Sequence, residues 1–124
     1  MTKQIHYSWQ NFDDAIEVLF NRIIAEGHIH HLKRIYGVPR GGLVLAVKLS
    51  HRLDLHLATL EEVVAYGHTL VVDDISDSGN TMKHIGKMAV CTATIHIVPG
   101  TIFVPDIWVE EKVKGDWVVY PWEV

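Results

Sequence analysis

The chain has 124 residues and a mass of 14.1 kDa, with 48% hydrophobic and 21% charged residues. This composition predicts a single globular domain over residues 1–124 and excludes a disordered or collagen-like chain. A net charge of −4 without any run of Lys or Arg argues against nucleic-acid binding. The single cysteine, Cys91, excludes an internal disulfide, and no apolar run approaches the ~18 residues of a membrane span. We therefore expect a cytoplasmic protein that contacts neither nucleic acid nor membrane.

The first third of the chain predicts two helices around one strand. Ser8 precedes apolar residues at helical spacing, which predicts a helix over 9–26. A short strand is expected over 33–38. After a break at Pro39-Arg40-Gly41-Gly42, the apolar residues return at helical spacing and predict a second helix over 43–53.

The middle of the chain predicts further strands and a third helix. Residues 57–59 and 63–65 are weak strand candidates. The β-branched run 69–72 predicts a central strand that is buried on both faces. A helix is expected from Thr81 through Met88, followed by a strand over 93–98.

The tail predicts a small hairpin. Its apolar runs 108–110 and 117–120 flank Lys114-Gly115-Asp116, which has the composition of a turn. Because strands and helices alternate through the rest of the chain, the predicted fold class is α/β with a mainly parallel sheet. Ligands of such sheets bind at the carboxyl ends of strands, so a site is expected in the loops that follow strands.

Segment 71–81 carries the richest chemistry in the sequence. Its apolar strand runs into Asp73 and Asp74, then into a loop of hydroxyl residues and Gly79 that opens a helix. Hydroxyls, a glycine that lets the backbone approach closely, and free helix N–H groups suit a phosphate. The paired carboxylates suit the two hydroxyls of a ribose, with Mg²⁺ nearby to offset charge. The plainer alternative is an ordinary polar turn before a capped helix.

The loop over residues 36–43 is a second candidate for anion binding. Gly37 and Gly42 have the spacing of a P-loop, but Leu43 stands where that motif needs Lys. A P-loop nucleoside triphosphatase is therefore excluded. What remains is one Arg and two Gly between a strand and a helix, which suits backbone N–H groups wrapped around an anion. A plain tight turn is the alternative.

Segment 71–81 resembles the phosphoribosyl-pyrophosphate (PRPP) signature of the type I phosphoribosyltransferases: an apolar run, two acids, two further residues, then Asp-Ser-Gly-Asn-Thr. The resemblance implies a three-layer, doubly wound sheet. It also implies that Asp73 and Asp74 hold the ribose hydroxyls and the metal, and that Arg40, Gly41 and Gly42 hold pyrophosphate. The residues implied for the 5′-phosphate are Ser76, Asp77, Ser78, Gly79, Asn80 and Thr81.

The same resemblance implies roles for Asp77 and for the tail. Asp77 is the implied general acid/base at the purine N7. Residues 116–123 look like the end of bacterial and archaeal xanthine-guanine and hypoxanthine phosphoribosyltransferases, where the tail is a hood over the base. On that resemblance Trp117 stacks on the purine, the Val118 backbone reads its edge, and Glu123 faces the metal. The other two tail tryptophans are interpreted as packing residues.

The resemblance implies an enzyme that transfers the 5-phosphoribosyl group of PRPP to guanine, xanthine or hypoxanthine, releasing pyrophosphate and forming a nucleoside monophosphate with Mg²⁺. Two departures favour an alternative, a PRPP- or nucleotide-binding regulatory protein of the same fold. Only Leu60–His68 is available for the long lid that closes over PRPP in the family. Val98 stands where purine members carry a Lys for the 6-oxo group, and Lys112 or Lys114 would have to replace it.

Assembly and one peptide bond are also implied by the resemblance. Family members are commonly dimers, so we expect a homodimer, or a dimer of dimers, joined through an apolar patch that includes residues of the 43–53 helix and is rimmed by its polar residues. Leu43, Val47 and Leu53 are expected to serve the core as well. The peptide bond between Pro39 and Arg40 is expected to be cis.

Overall fold

The structure, a computed structural model, describes residues 3–123. Its strands are β1 (Gln4–His6), β2 (Arg34–Gly37), β3 (His56–Leu57), β4 (Thr69–Ser76), β5 (Cys91–Ile97), β6 (Ile107–Glu111) and β7 (Trp117–Val119). Its helices are α1 (Trp9–Ala25), α2 (Gly41–Leu53), α3 (Leu60–Tyr66) and α4 (Asn80–Ile85), with 3₁₀ turns at His28–His31, Gly86–Met88 and Pro121–Glu123. A five-stranded parallel sheet runs in the order β3-β2-β4-β5-β6, and β1 pairs with β7 in a separate sheet.

Helices cover both faces of the main sheet, which confirms the predicted three-layer α/β fold. α1 and α2 pack together over one face, where Leu19 and Leu45 are fully buried in the main core. α4 covers the other face, where Met82 packs against Val71 in a smaller cluster. The strands and helices predicted at 9–26, 33–38, 43–53, 69–72, 81–88 and 93–98 are all present, with shifted ends.

β4 lies at the centre of the sheet and positions the candidate site. Its first residues, Thr69–Val72, are buried on both faces, as expected of a β-branched apolar run between two helical layers. β2 and β4 pair in parallel with Gly37 opposite Val72, so both strands end at the same edge. The loop after β2 therefore lies beside the acid pair of β4.

The prediction of a weak strand over 63–65 is wrong, because these residues belong to α3. The Thr59 hydroxyl accepts a hydrogen bond from the Glu62 N–H at 3.2 Å, and the Glu62 carboxylate accepts one from the Thr59 N–H at 3.0 Å. This capping box starts a helix that buries only Val63. Of the strand predicted over 57–59, only His56–Leu57 pairs with β2.

The prediction of a hairpin in the tail is also wrong. β6 extends the main sheet in parallel with β5, and β7 leaves it to pair in parallel with β1 at the other end of the chain. The Trp117 N–H donates to the Lys3 carbonyl at 2.9 Å, and the Tyr7 N–H donates to the Val119 carbonyl at 2.9 Å. The tail is therefore held by the N-terminal strand, a long-range pairing that the turn residues do not encode.

Two expectations for the region around α2 have opposite outcomes. Leu43 and Val47 are each 44% exposed, so the expectation that they serve the core is wrong, whereas Leu53 is buried as expected. The buried face instead uses Leu45, Ala46 and Leu49, because α2 begins at the glycines of the preceding loop. The peptide bond between Pro39 and Arg40 is cis, as expected.

Among residues 3–123, the helices are too short or too polar to cross a bilayer.

Candidate active site

The acid pair lies within β4, just beyond its pairing with β2, and is an uncompensated negative centre. The expectation that the strand ends at these acids is wrong, because β4 stays paired with β5 through Ser76. Asp73 and Asp74 are only partly accessible to solvent, and the Asp73 carboxylate accepts a hydrogen bond from the Asp74 N–H at 2.8 Å. Burial raises the pKa of both carboxyls, and repulsion by Asp74 helps to raise the pKa of Asp73 to about 8. Within residues 3–123 neither carboxylate forms an ion pair. The pair therefore suits a cation or hydroxyl-bearing ligand.

The loop after β2 packs directly against this pair. A Cβ placed on Gly41 would lie 2.5 Å from Asp74 Cγ, and one on Gly42 would lie 2.5 Å from the Val72 carbonyl oxygen. Only glycine lets the loop come this close to β4. Arg40 is exposed at the tip, and a cavity of about 530 Å³ is lined by Arg40, Gly41, Asp74, Trp122 and Glu123.

The loop after β4 presents unused backbone donors to a second cavity, of about 230 Å³. The N–H groups of Asp77, Ser78, Gly79 and Thr81 have no acceptor among residues 3–123. Gly79 has a φ of +87°, and a Cβ there would lie 2.6 Å from the Phe103 nitrogen. The following helix α4 has only six residues, so the loop N–H groups rather than a helix dipole make this cavity suitable for an anion.

The Ser76 hydroxyl is not available for the phosphate contact predicted from the sequence. Its side chain is buried, and its Oγ donates to the Phe103 carbonyl at 2.7 Å and lies 3.0 Å from Thr101 Oγ1. The hydroxyl holds the 101–103 segment against the loop instead. The side chains of Asn80 and Thr81 are exposed, as is that of Ser78, whose Oγ accepts a hydrogen bond from the Asn80 N–H at 3.3 Å.

The tail encloses a third cavity, of about 190 Å³, at the other side of Asp74. The Trp117 ring is 63% exposed and so is free to cover a ligand. The backbone N–H and C=O groups of Trp117 and Val119 form the hydrogen bonds to β1. Neighbouring residues of a strand direct these backbone groups to opposite edges of the strand. The Val118 N–H and C=O therefore face away from β1, as an edge-reading residue requires. Asp77 lines this cavity as well as the second one.

Glu123 lies at the junction of the first and third cavities. Its Oε1 accepts a hydrogen bond from the Tyr120 N–H at 2.9 Å, and its negative charge contributes, after burial, to the raised pKa of Asp74. In the described part of the chain, no three His, Cys, Asp or Glu side chains are close enough to hold a metal ion by themselves. A metal at Asp73, Asp74 and Glu123 would therefore need ligands from the bound substrate, which is common for Mg²⁺.

Sequence reasoning missed Tyr120 as a site residue. Its hydroxyl lies 3.3 Å from the Asp74 carbonyl oxygen and 2.8 Å from His96 Nδ1, and its ring stacks on Trp122 at 5.0 Å. His96 Nε2 in turn lies 3.1 Å from the Glu110 carboxylate. The sequence signal that could have identified Tyr120 is the alternation of side chains along β7 and the residue after it, which places residues 118 and 120 on one side.

The segment expected to be a stub of a lid is an ordered helix. α3 packs against β2 through Val63, and no long loop separates β3 from β4 in the described residues. Val98, the position of the missing Lys, is buried. The departures from the family pattern are therefore features of the folded chain.

The three cavities all share Asp74, and we call them together the cleft. Two of its arms offer glycine-rich loops with an Arg or free N–H groups, and the third offers an aromatic ring, a lysine and a strand edge. Anions suit the first two arms and a planar, hydrogen-bonding ring suits the third. An extended ligand with two anionic ends and a ring matches the cleft as a whole.

No protein-family model matches the chain. It is 26% identical to the xanthine-guanine phosphoribosyltransferase of Idiomarina loihiensis over 145 aligned positions, covering 98% of this chain and 88% of the relative. The alignment is longer than the 124 residues of the chain, so the relative has segments that this chain lacks.

Two solved structures have the same fold. The purine phosphoribosyltransferase of Pyrococcus horikoshii is 28% identical, with a TM-score of 0.79 and 98% of this chain and 95% of that chain covered. A hypothetical protein of Neisseria gonorrhoeae with bound ppGpp is 21% identical, with a TM-score of 0.76 and 100% and 91% covered. The chain is thus related, at about 25% identity over its full length, to the xanthine-guanine and purine phosphoribosyltransferases of type I, and it shares their fold.

Proposed function

We propose that this chain transfers the 5-phosphoribosyl group of PRPP to guanine, xanthine or hypoxanthine and releases pyrophosphate. The observation that carries the proposal is the cleft, in which two anion-binding arms and one aromatic arm meet at Asp74. A phosphoribosyl transfer requires this arrangement, because pyrophosphate, ribose 5′-phosphate and base must be held around one carbon atom.

The first arm would hold the leaving pyrophosphate. Arg40 supplies a guanidinium, and the close approach of Gly41 to Asp74 brings the loop backbone next to the acid pair. As the bond to pyrophosphate breaks, negative charge collects on that group, so donors placed there lower the barrier. The second arm would hold the 5′-phosphate on the N–H groups of residues 77–79 and Thr81, which have no acceptor among residues 3–123.

Asp73 and Asp74 would hold the ribose hydroxyls and, with Glu123, face Mg²⁺. They fit a cation because two adjacent, partly buried carboxyls of β4 have no positive partner among residues 3–123. Mg²⁺, when bound, offsets the charge of pyrophosphate. The negative field of the pair also favours the cationic ribose of the transition state.

The third arm would hold the base. Trp117 would stack on the purine and the Val118 backbone would read its edge, while Asp77 would accept the N7 proton during nucleotide formation. Asp77 suits this role because it is a titratable residue that lines both the second and the third arm, next to the positions proposed for the ribose phosphate and the base.

The test is pyrophosphate release by the purified chain with PRPP, Mg²⁺ and each of guanine, hypoxanthine and xanthine. We expect release with at least one base and none without base. The matched control is Asp73→Asn with Asp74→Asn, which should abolish release. Binding of PRPP without release with any base would contradict the enzymatic proposal.

The second candidate is a nucleotide-binding regulatory protein, and the ordered helix α3 favours it. Without a long loop over the cleft, water has access to the reacting carbon, which would hydrolyse PRPP rather than transfer it. A neighbour of the same fold holds ppGpp, so the fold accommodates a guanine nucleotide. Calorimetry with PRPP and GMP, followed by the release assay, separates the two candidates: binding without release supports the regulator.

We also propose a homodimer. Trp9 and Phe12 of α1 and Leu43 and Val47 of α2 line an apolar groove of about 400 Å³. An exposed apolar groove of this kind is typical of a contact surface. Light scattering at micromolar concentration should give twice the 14.1 kDa of the chain, and a 14.1 kDa species would contradict the proposal.

A further inference from the structure

The segment that follows β5 contacts the loop that lines the second arm of the cleft. We call this segment, residues 98–103, the buttress. The Thr101 N–H donates to the Val98 carbonyl at 3.0 Å, which closes a β-turn at the start of the buttress. The Phe103 ring packs against the small buried cluster that α4 covers. The buttress is therefore fixed to the sheet at one end and to the core at the other.

The buttress donates to two carbonyl groups of the loop after β4. The Val98 N–H donates to the Ser76 carbonyl at 3.0 Å, and the Ile102 N–H donates to the Ser78 carbonyl at 3.2 Å. Each of these carbonyls shares a peptide plane with the N–H of the next residue, and in a trans peptide the C=O and the N–H point in opposite directions. The two N–H groups that follow these carbonyls therefore point away from the buttress.

The orientation of these two N–H groups, those of Asp77 and Gly79, matters because the second arm has no positive side chain. Both residues line the cavity of about 230 Å³ together with Asp73 and Asp74, and in the described part of the chain no Lys, Arg or His lines it. A phosphate in this cavity meets three carboxyl groups, so its attraction comes from backbone N–H groups and exposed hydroxyls. Its affinity therefore depends on where the N–H groups point.

Ser76 joins the buttress to the loop through its side chain. Its Oγ donates to the Phe103 carbonyl at 2.7 Å and lies 3.0 Å from Thr101 Oγ1, which donates to the same carbonyl at 3.2 Å. Ser76 is only 1% exposed, and a buried hydroxyl needs a partner of this kind. In the described residues, the partners of the Ser76 hydroxyl all belong to the buttress.

We propose that Ser76 is a positioning residue for the 5′-phosphate: its hydroxyl holds the buttress against the loop and so keeps the Asp77 and Gly79 N–H groups turned toward the second arm. The proposal rests on the proposed function, which assigns the 5′-phosphate to this arm. The hydroxyl is occupied by the buttress and does not itself contact the ligand. Its removal therefore weakens the binding of the phosphate group and leaves the binding of ribose and base unchanged.

A purely structural role for Ser76 makes a different prediction. If the hydroxyl only stabilises the fold, its removal lowers the melting temperature and affects GMP and guanosine equally. If it positions the N–H groups, its removal reduces the affinity gained from the 5′-phosphate. That gain is the ratio of the dissociation constant of guanosine to that of GMP, which we call the phosphate ratio.

The experiment is calorimetry with PRPP, GMP and guanosine on the parent chain, on Ser76→Ala and on Thr69→Val, with thermal unfolding of each. Thr69 is the matched control, because it is a buried residue at the other end of β4 whose hydroxyl donates to the Gly67 carbonyl at 2.9 Å. Ser76→Ala should lower the phosphate ratio about tenfold with guanosine affinity unchanged. Thr69→Val should lower the melting temperature and leave the phosphate ratio unchanged.

A phosphate ratio retained in Ser76→Ala, whether or not both affinities fall, would overturn the proposal while leaving the proposed function intact. A parent chain that binds neither PRPP nor GMP, or that binds GMP no more tightly than guanosine, would contradict the proposed function itself.

Thr101 keeps the proposal testable if Ser76→Ala fails to fold, because this residue is partly exposed. Thr101→Val removes the hydroxyl beside Ser76, and Thr101→Ser keeps it. The phosphate ratio should fall about threefold in Thr101→Val and stay at the parent's value in Thr101→Ser. Equal phosphate ratios in these two variants would overturn the proposal.

Discussion

The phosphate end and the base end of the cleft are held in place by different parts of the molecule. The phosphate end, residues 37–42 and 73–81, follows the two central strands β2 and β4, whose buried residues fix it. The base end, residues 112–123, leaves the main sheet and is held by β1 and by the contact of Tyr120 with Asp74. Core packing therefore dictates the anion-binding geometry, whereas the base end depends on a few long-range contacts.

This difference has a functional meaning. On the proposed function, the groups that every PRPP-dependent reaction shares would bind at the centre of the sheet. The variable part of the ligand would bind at the tail, whose sequence can change without disturbing the core. Lys112, Trp117 and Val118 all belong to this second region.

The largest expected effect comes from removing the acid pair. Asp73→Asn with Asp74→Asn should weaken PRPP binding by about 100-fold or more, because two carboxylates that face ribose and metal lose their charge. Circular dichroism should show an unchanged fold. The control is Asp13→Asn with Asp14→Asn, an adjacent exposed pair on α1. Equal PRPP affinity in both double variants would remove the ribose assignment.

The single change Asp73→Asn should stabilise the ligand-free protein at high pH. Because burial raises the pKa of Asp73 to about 8, the folded state keeps a proton that the unfolded state loses above about pH 4. The free energy of unfolding of the parent therefore falls as pH rises from about 4 to 8. The Asn variant lacks this loss of stability, so it should be more stable than the parent at pH 9 and nearly equal to the parent at pH 4.

Urea unfolding in the presence of EDTA at pH 4, 6 and 9 measures this difference. The gap between variant and parent should widen with pH and then level off above about pH 8. A gap that is constant with pH would show that the Asp73 carboxyl is not protonated in the folded state at neutral pH.

Arg40→Gln should separate the two anion-binding arms. Arg40 is exposed and lines only the arm assigned to pyrophosphate, so PRPP affinity should fall by about tenfold while GMP affinity stays the same. Lys48→Gln, on the exposed side of α2, is the control. Equal losses for PRPP and GMP would mean that Arg40 does not act on pyrophosphate alone.

Trp117→Leu should have the smallest effect and should act on the base end alone. The ring is 63% exposed, so its loss should change stability by less than about 0.5 kcal/mol. GMP affinity should fall by about fivefold through lost stacking, with PRPP affinity unchanged. Trp9→Leu, a second exposed tryptophan, is the matched control. A loss of PRPP binding in Trp117→Leu would mean that the two ends are not independent.

The local structure of residues 71–81 can be predicted from the sequence because its determinants are local. A buried strand, two acids, small hydroxyl residues and a glycine follow one another within 71–81, and the alternation of strands and helices places 36–43 beside them. The exception is the Ser76 hydroxyl, which donates to a distant acceptor, the Phe103 carbonyl. No pattern around residue 76 reveals this contact.

The sequence predicts the arrangement of the base end poorly because the partners are far apart. Lys114-Gly115-Asp116 has turn composition, but whether β7 folds back on β6 or crosses to β1 is decided by pairing with residues 4–6. The same holds for Lys112, whose burial follows from the path of the tail. Tyr120 and His96 meet only after folding, so their hydrogen bond has no sequence signature.

The central claim is that one nucleotide spans the cleft from the loop after β4 to the tail around Asp74, and a crystal structure with GMP tests it most directly. The account predicts the 5′-phosphate on the N–H groups of residues 77–81, the ribose hydroxyls at Asp73 and Asp74, and the guanine on Trp117. A phosphate bound elsewhere, or those N–H groups turned inward onto protein acceptors, would contradict the account.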